Sequence, residues 1–437
     1  MPLTIKELGE RKVRSPLYDK FHLNELNFVK DSKRMLYNVM VEDGDPATIK
    51  HDLTFELAGP REFLFFEPES VTSAIVTCGG LCPGLNDVIR SIVMESYYRY
   101  GAKKIYGIRY GYNGLNPAKG YAPIELTPDI VSEIHTQGGT ILGSSRGGTE
   151  NMEILIDTLQ QMGVNILYTI GGDGTLKGAH EIANRALSRG MKLAVVGVPK
   201  TIDNDISFIQ RSFGFETAYS EAVKAILSAH VEAKGAPNGI GLVKLMGRES
   251  GFIAAHATLA MNDVNYVLVP EVPFELEGPN GLLCHLEKRL MNRHHAVICV
   301  AEGAGQDLIA MEGNVERDAS GNVKLKDIGV FLKEKIESYF KKRAIEINLK
   351  YIDPSYMIRS APAVPNDSIF CAQLGQYAVH AGMAGKTDLV IGQWNNNYTH
   401  VPIELAISRR RKINPTSRFW FSVLDATGQP ETMVNPK

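Results

Sequence analysis

The chain has 437 residues, 44% of them apolar, and a formal net charge of −2. That length and apolar content suit two domains with sizeable cores and exclude a disordered chain. The near-neutral charge excludes a general affinity for nucleic acid or other polyanions, and no apolar run reaches the roughly 20 residues that a membrane helix needs.

Residues 1–70 are charged and show little strand pattern, and they hold the turn-forming runs Asp43-Gly44-Asp45-Pro46 and Ala58-Gly59-Pro60. They read as an N-terminal extension or small lobe. The start, Met1-Pro2-Leu3-Thr4-Ile5-Lys6, lacks the apolar core of a signal peptide. The five cysteines are sparse and odd in number. Reduced thiols in a cytoplasmic protein are expected.

From Val71 the texture alternates between strand and helix. Ser73–Thr77 reads as a buried parallel strand. The loop Cys78-Gly79-Gly80-Leu81-Cys82-Pro83-Gly84 leads into a helix with apolar Leu85, Val88, Ile89, Ile92 and Val93 on one face. Lys104–Ile108 is a second strand. Ile166–Ile170 is a third, and it ends in Gly171-Gly172-Asp173-Gly174-Thr175 before a helix closed by Gly190. Leu193–Val198 is a fourth, ending in Pro199-Lys200-Thr201-Ile202-Asp203-Asn204-Asp205. Further on, helices are predicted over Phe215 to about Lys234, over Ile328–Lys342 and near Phe370–Gly382. Strands are predicted over Ile240–Leu245, Val264–Val269, Ala296–Ala301 and Asp388–Gly392. Glu312 to Lys326 reads as a polar, mobile loop. Strands alternating with helices predict parallel sheets covered on both faces, and the number of units predicts two of them.

Two strands thus end in two carboxylate-bearing loops, and in open α/β sheets that edge binds ligands. Glycines let a backbone approach phosphate, and a helix N-terminus favours its charge. Carboxylates among such glycines imply a metal ion or a proton acceptor, since bare they would repel phosphate. Asp203 and Asp205, two apart, need a metal, a cation or a proton between them. Arg146 at the end of Gly139–Ser145, Arg248 after Leu245-Met246-Gly247, and Arg359 stand at loop and strand junctions, where a guanidinium fork matches phosphate oxygens. The run Arg409-Arg410-Arg411-Lys412 reads as a solvated face.

Together these segments resemble the 6-phosphofructokinase family, from about Ala58 to Gln429. The signature pieces are Gly79-Gly80 with Pro83-Gly84-Leu85-Asn86, Gly111-Tyr112, Arg146, the run 171–175, the run 199–205, Met246-Gly247-Arg248 and Pro270-Glu271-Val272. The match is to the pyrophosphate-type lineage in its atypical ATP-using branch. The resemblance implies two doubly wound parallel-sheet (Rossmann-like) α/β domains with an N-terminal extension. A nucleotide-binding domain would span 71–213, completed by about 358–408. A sugar-phosphate domain would span 214–357, with the tail 409–437.

The implied reaction is Mg2+-dependent transfer of the ATP γ-phosphoryl to the 1-hydroxyl of fructose 6-phosphate. Asp203 would be the general base, with Lys200 and Arg248 as its catalytic companions and Asp173 as the Mg2+ partner. Gly80, Tyr112, Arg146, Gly174 and Thr175 would line the donor site. Thr201, Asp205, Met246, Gly247, Arg248, Glu271, Lys350, Tyr356 and Arg359 would meet the sugar phosphate. A glycolytic, allosteric, cytoplasmic enzyme assembled as a homo-oligomer, dimer or tetramer, is also implied, with no nucleic acid or membrane partner. The chain departs from the best-known bacterial pattern. Lys200 stands in place of a glycine, Gly239 and Lys350 in place of arginines, and Tyr356 in place of a histidine. Pyrophosphate is the rival donor. Gly174 leaves room for the α-phosphate of ATP, while Lys200 points weakly to pyrophosphate. A NAD kinase or lipid kinase would not need the 199–205 run with Met246-Gly247-Arg248. A nucleotide-sensing subunit without catalysis would not need Asp173, Asp203 and Arg248.

Overall fold

The computed structural model describes residues 3–20, 27–41, 44, 45, 48, 53–309 and 323–436. It divides into two compact units. One comprises residues 1–201, 206–214 and 362–409, and the other 202–205, 215–361 and 410–437.

The first unit is built on a nine-stranded sheet. Its order is Arg34–Leu36, Thr54–Leu57, Asn397–Pro402, Leu389–Trp394, Ala194–Pro199, Ile166–Gly171, Thr72–Thr77, Lys104–Ile108 and Ile124–Glu125. Neighbours from Leu389–Trp394 through to Lys104–Ile108 pair in parallel, and the outer strands pair antiparallel. The central strands are buried along their whole length. That is why they read as unbroken apolar runs rather than as alternating ones. Helices Leu85–Met94, Met152–Gln161, Asp173–Ser188 and Pro365–Met383 belong to this unit. The second unit holds a four-stranded parallel sheet in the order Tyr266–Leu268, His295–Ala301, Gly239–Leu245 and Asn348–Ile352. Leu282, Leu286, Leu332, Ile336 and Phe340 from two helices pack on its core.

Residues 1–70 depart from the expectation of little strand content. Arg34–Leu36 and Thr54–Leu57 extend the large sheet, and Lys6–Glu7 pairs with Lys386–Thr387. The strands are short and lie at sheet edges, so they carry no apolar run to betray them. Ion pairs anchor them instead. Lys386 is 0% exposed, and its ammonium lies 2.7 Å from Glu7, 2.9 Å from Glu56 and 3.3 Å from Asp31. Arg61, also buried, reaches Asp31 at 2.8 Å and Glu56 at 2.7 Å. Burial alone would raise the Glu56 carboxyl, but the His400 hydrogen bond and the Lys386 charge hold it down at about 2. Of the predicted loop 312–326, only 323–326 lie among the described residues.

Removing one partner of a buried ion cluster leaves the others uncompensated. Lys386→Met is expected to cost roughly 3–5 kcal/mol of stability, read as a lowered urea midpoint. An unchanged midpoint would show that the cluster contributes nothing.

Candidate active site

In the first unit the central strands end in three loops. The helix Asp173–Ser188 begins at the glycine turn after Ile166–Gly171. Its first-turn N–H groups have no partner within the helix, which makes its start attractive to an anion. The Asp173 carboxylate is partly exposed and pairs with Lys177 at 2.8 Å. Among the described residues no three acid, histidine or cysteine side chains gather as a metal cage. A single partly exposed carboxylate at a phosphate-binding turn fits Mg2+, which keeps its waters and takes its other ligands from phosphate. A Cβ built on Gly174 meets nothing within 4 Å, so this position is open.

Lys200 is 6% exposed, and its ammonium donates to the Gly80 carbonyl at 2.6 Å. The backbone N–H of Lys200 bonds the Gly171 carbonyl at 3.1 Å. Ser144 and Ser145 tie the loop of Arg146 to Gly79, through the Ser144 hydroxyl donating to the Gly79 carbonyl at 2.7 Å and the Gly79 N–H donating to Ser145 at 2.9 Å. Gly80, Arg146, Asp173, Gly174 and Lys200 are therefore held on strand-end loops tied together by hydrogen bonds. Tyr112 and Thr175 lie beneath them. Tyr112 is 2% exposed and its hydroxyl donates to the Thr175 carbonyl at 2.7 Å. Both are buried and support the loop from within.

The 199–205 run divides between the units after Thr201. Residues 202–205 are fastened to the second unit. The Ser250 hydroxyl donates to the Asp203 carbonyl at 3.2 Å, and the Arg411 N–H donates to the Asp205 carbonyl at 2.8 Å. The Asp205 carboxylate is buried and bonded to the Arg410 guanidinium. Asp205 was expected to meet the sugar, and Arg410 to be solvated; the two are instead engaged with each other. Burial, Asp205 and Glu302 push the Asp203 carboxyl up to about 7, against the pull of Arg359 and Arg410.

The other members stand on the C-terminal edge of the small sheet. Leu245 and Ala301 are register partners, so Met246-Gly247-Arg248 and Glu302-Gly303 leave the sheet side by side. Gly247 has φ 124°, and a side chain there would crowd the Ser250 carbonyl. A Cβ on Gly303 would overlap the Arg248 carbonyl. These two glycines let the loops cross closely enough to set Arg248 in place. Burial raises Glu302, and Arg359, Arg248 and Lys244 oppose the rise. Arg359 lies on the short helix Ser355–Ser360, beyond the strand Asn348–Ile352.

Glu302 was missed by the sequence reading, although a signal existed: it is a carboxylate directly after an apolar strand and before a glycine. Glu271, expected to touch the sugar, also has backbone partners. Its oxygens accept from Gly251 N–H at 3.1 Å and from Ile413 N–H at 2.8 Å. It thereby caps the helix Phe252–Met261 and holds the tail. Met246 is buried, Lys350 is exposed on an edge strand, and Tyr356 is 88% exposed. Gly239 opens a strand where a Cβ would overlap the Ala233 carbonyl, so no arginine fits there.

Fold and loops define a two-unit α/β protein whose strand ends carry phosphate-binding chemistry. The family model for phosphofructokinase matches residues 72–382. The ATP-dependent 6-phosphofructokinase of Borreliella burgdorferi is 51% identical over 439 residues, covering 99% of this chain and 97% of the relative. This chain therefore belongs to the phosphofructokinase family. Solved structures share the fold. Phosphofructokinase from Pichia pastoris matches with a TM-score of 0.63 at 21% identity, over 82% of this chain; the present chain spans 37% of that one. The pyrophosphate-dependent phosphofructokinase from Marinobacter aquaeolei matches with a TM-score of 0.65 at 19% identity, over 82% of this chain and 91% of that one.

The capping role of Glu271 has a measurable consequence. Glu271→Ala removes bonds to two backbone donors and is expected to cost about 1–2 kcal/mol, measured by urea unfolding. Wild-type stability in this variant would show that the bonds contribute nothing.

Proposed function

We propose that the protein is an ATP-dependent 6-phosphofructokinase of glycolysis. It transfers the γ-phosphoryl of ATP to the 1-hydroxyl of fructose 6-phosphate, giving fructose 1,6-bisphosphate. The observation that carries this reading is the shielded carboxyl of Asp203 among Glu302, Arg359 and Arg410. A proton acceptor with its affinity tuned near neutrality, surrounded by phosphate-matching arginines, suits an alcohol acceptor on a phosphorylated sugar.

Phosphoryl transfer asks a protein for positioning and charge stabilisation more than for covalent chemistry. Asp203 takes the proton of the 1-hydroxyl as the new P–O bond forms. Arg359 and Arg248 hold the sugar phosphate, and Glu302 accepts hydrogen bonds from sugar hydroxyls. The backbone around Gly80 and Gly174, together with Arg146, receives the donor. Lys200, fixed by the Gly80 carbonyl, offers positive charge to the group in transfer. Asp173 would hold Mg2+, which supplies charge neutralisation to the donor phosphates when bound. The cytoplasmic setting, the allosteric control and the dimeric or tetrameric assembly form part of the same proposal and are supported by the family resemblance. No helix among the described residues is long and apolar enough to cross a membrane.

Removing the carboxyl tests the proposed base. Asp203→Ser is expected to bind fructose 6-phosphate normally while kcat falls by about 10²–10⁴. Near-normal turnover would overturn the assignment.

The donor follows from exclusion. An aspartate at 174 would add bulk and negative charge beside the α-phosphate of ATP, and a repulsive element discriminates between ligands where attraction does not. Lys200 attracts the phosphates of either donor. Steady-state kinetics are expected to give a higher kcat/KM for ATP than for pyrophosphate. Gly174→Asp is expected to lower kcat/KM for ATP at least about tenfold, an effect of roughly 1.4 kcal/mol, while the fold is kept because the position is open. A wild-type preference for pyrophosphate would reject ATP as the donor and leave the sugar-site assignments standing.

A further inference from the structure

Arg410 lies in a segment whose four consecutive basic residues look like ordinary surface. Its position argues otherwise. The guanidinium Nη1 donates to the carboxylate of Asp205, 205 residues earlier in the chain. The Asp205 carboxylate has almost no exposed surface, and the Arg410 side chain is itself largely covered. The guanidinium also lies 3.8 Å from Glu249. The next residue, Arg411, donates its backbone N–H to the Asp205 carbonyl at 2.8 Å, so side chain and backbone of one short segment grip the same residue. Asp205 is two positions from Asp203, and the Asp203 carbonyl is held from the other side by Ser250 at 3.2 Å.

We propose that Arg410 is a positioning residue for the reaction. It holds Asp205 in place and sets positive charge near Asp203, so that Asp203 can be an anion when the sugar hydroxyl arrives. The inference rests on Asp203 being the base.

The charges around Asp203 make the need for this residue plain. Asp205 and Glu302 both disfavour a second anion, while Arg359 and Arg410 favour one. Arg359 is assigned to the sugar phosphate, whose negative charge offsets it once bound. Arg248 faces Glu302 from its own loop, and Lys244 is held by Asp327 at 2.9 Å and Asp353 at 2.8 Å. Arg410 is a cation near Asp203 that has no assigned role in holding the substrate. Without it Asp205 would lose the guanidinium it pairs with, and Asp203 would hold its proton to higher pH.

The test is the pH dependence of kcat/KM for fructose 6-phosphate in the full-length wild type, Arg410→Gln and Arg410→Lys. Titration of the substrate is common to all three and cancels in the comparison. Arg410→Gln is expected to move the acid limb up by on the order of 1 pH unit, to lower kcat at neutral pH by about tenfold and to change the KM for the sugar less than kcat. Arg410→Lys is expected to bring the limb back toward wild type, because it keeps the charge. Arg410→Gln and Arg410→Lys losing turnover equally, with the limb unmoved, would mean a purely structural role and would overturn the proposal. A wild-type profile in Arg410→Gln would overturn it too. Asp203→Ser assayed alongside separates the two levels. An inactive Asp203→Ser with an unmoved limb in Arg410→Gln rejects only the role of Arg410, whereas an active Asp203→Ser rejects the base and this inference together.

Discussion

Lys386 carries an ammonium with no exposed surface, and everything at that side of the large sheet is arranged to make this tolerable. A charge withdrawn from water is unfavourable by several kcal/mol unless opposite charge surrounds it. Here the opposite charge comes from Glu7, Asp31 and Glu56, all in the first sixty residues of the chain. The N-terminal segment is therefore bound into the unit by electrostatics as well as by strand pairing. Its strands cover the flank beyond Asn397–Pro402, and behind that flank lie the parallel strands whose ends carry Asp173 and Lys200. The same constraint rules the second unit, where Asp203, Asp205 and Glu302 sit among Arg248, Arg359 and Arg410. In one unit buried charge fastens a chain segment; in the other it sets the proton affinity of a carboxyl.

In the proposed reaction the two units would meet phosphate by different means. The first uses backbone: a helix start, glycine turns and one lysine pinned by a carbonyl. The second uses side chains: arginines and carboxylates set against one another at strand ends. The contrast suits the proposed substrates. A polyphosphate offers many similar oxygens that backbone N–H groups can cradle. A sugar phosphate must be held at one end by charge and at the other by a group that can take a proton.

How much of this was legible in the sequence depended on range. Most parallel strands were read closely, because strands buried on both faces are apolar throughout; the half-exposed parallel edge strand Asn348–Ile352 was missed. The glycine turn and the run 199–205 stood out because each directly follows such a strand. Short edge strands carry no comparable pattern, so Thr54–Leu57 and Arg34–Leu36 escaped notice. Arg410 could not be found locally, since its partner lies at the other end of the second unit's sequence. Glu271 has partners that the sequence does not show. A carboxylate beside a signature run invited a ligand role, while its partners, the N–H groups of Gly251 and Ile413, are visible only in three dimensions. Glu302 was within reach, on the pattern already used for the other loops.

The chain does not finish one unit before starting the other. The first contains residues 1–201 and 206–214 and then waits for 362–409, which bring the strand Leu389–Trp394 against Ala194–Pro199. The second waits in turn for 410–437, where Met433 bridges to Phe274 and Glu275. Domains ordinarily fold one after another as they leave the ribosome. Here the two units are interleaved: when residue 361 has been added, the first still lacks 362–409 and the second still lacks 410–437. Each unit is thus completed by a segment separated from its main body by residues of the other, so neither is one contiguous stretch of chain.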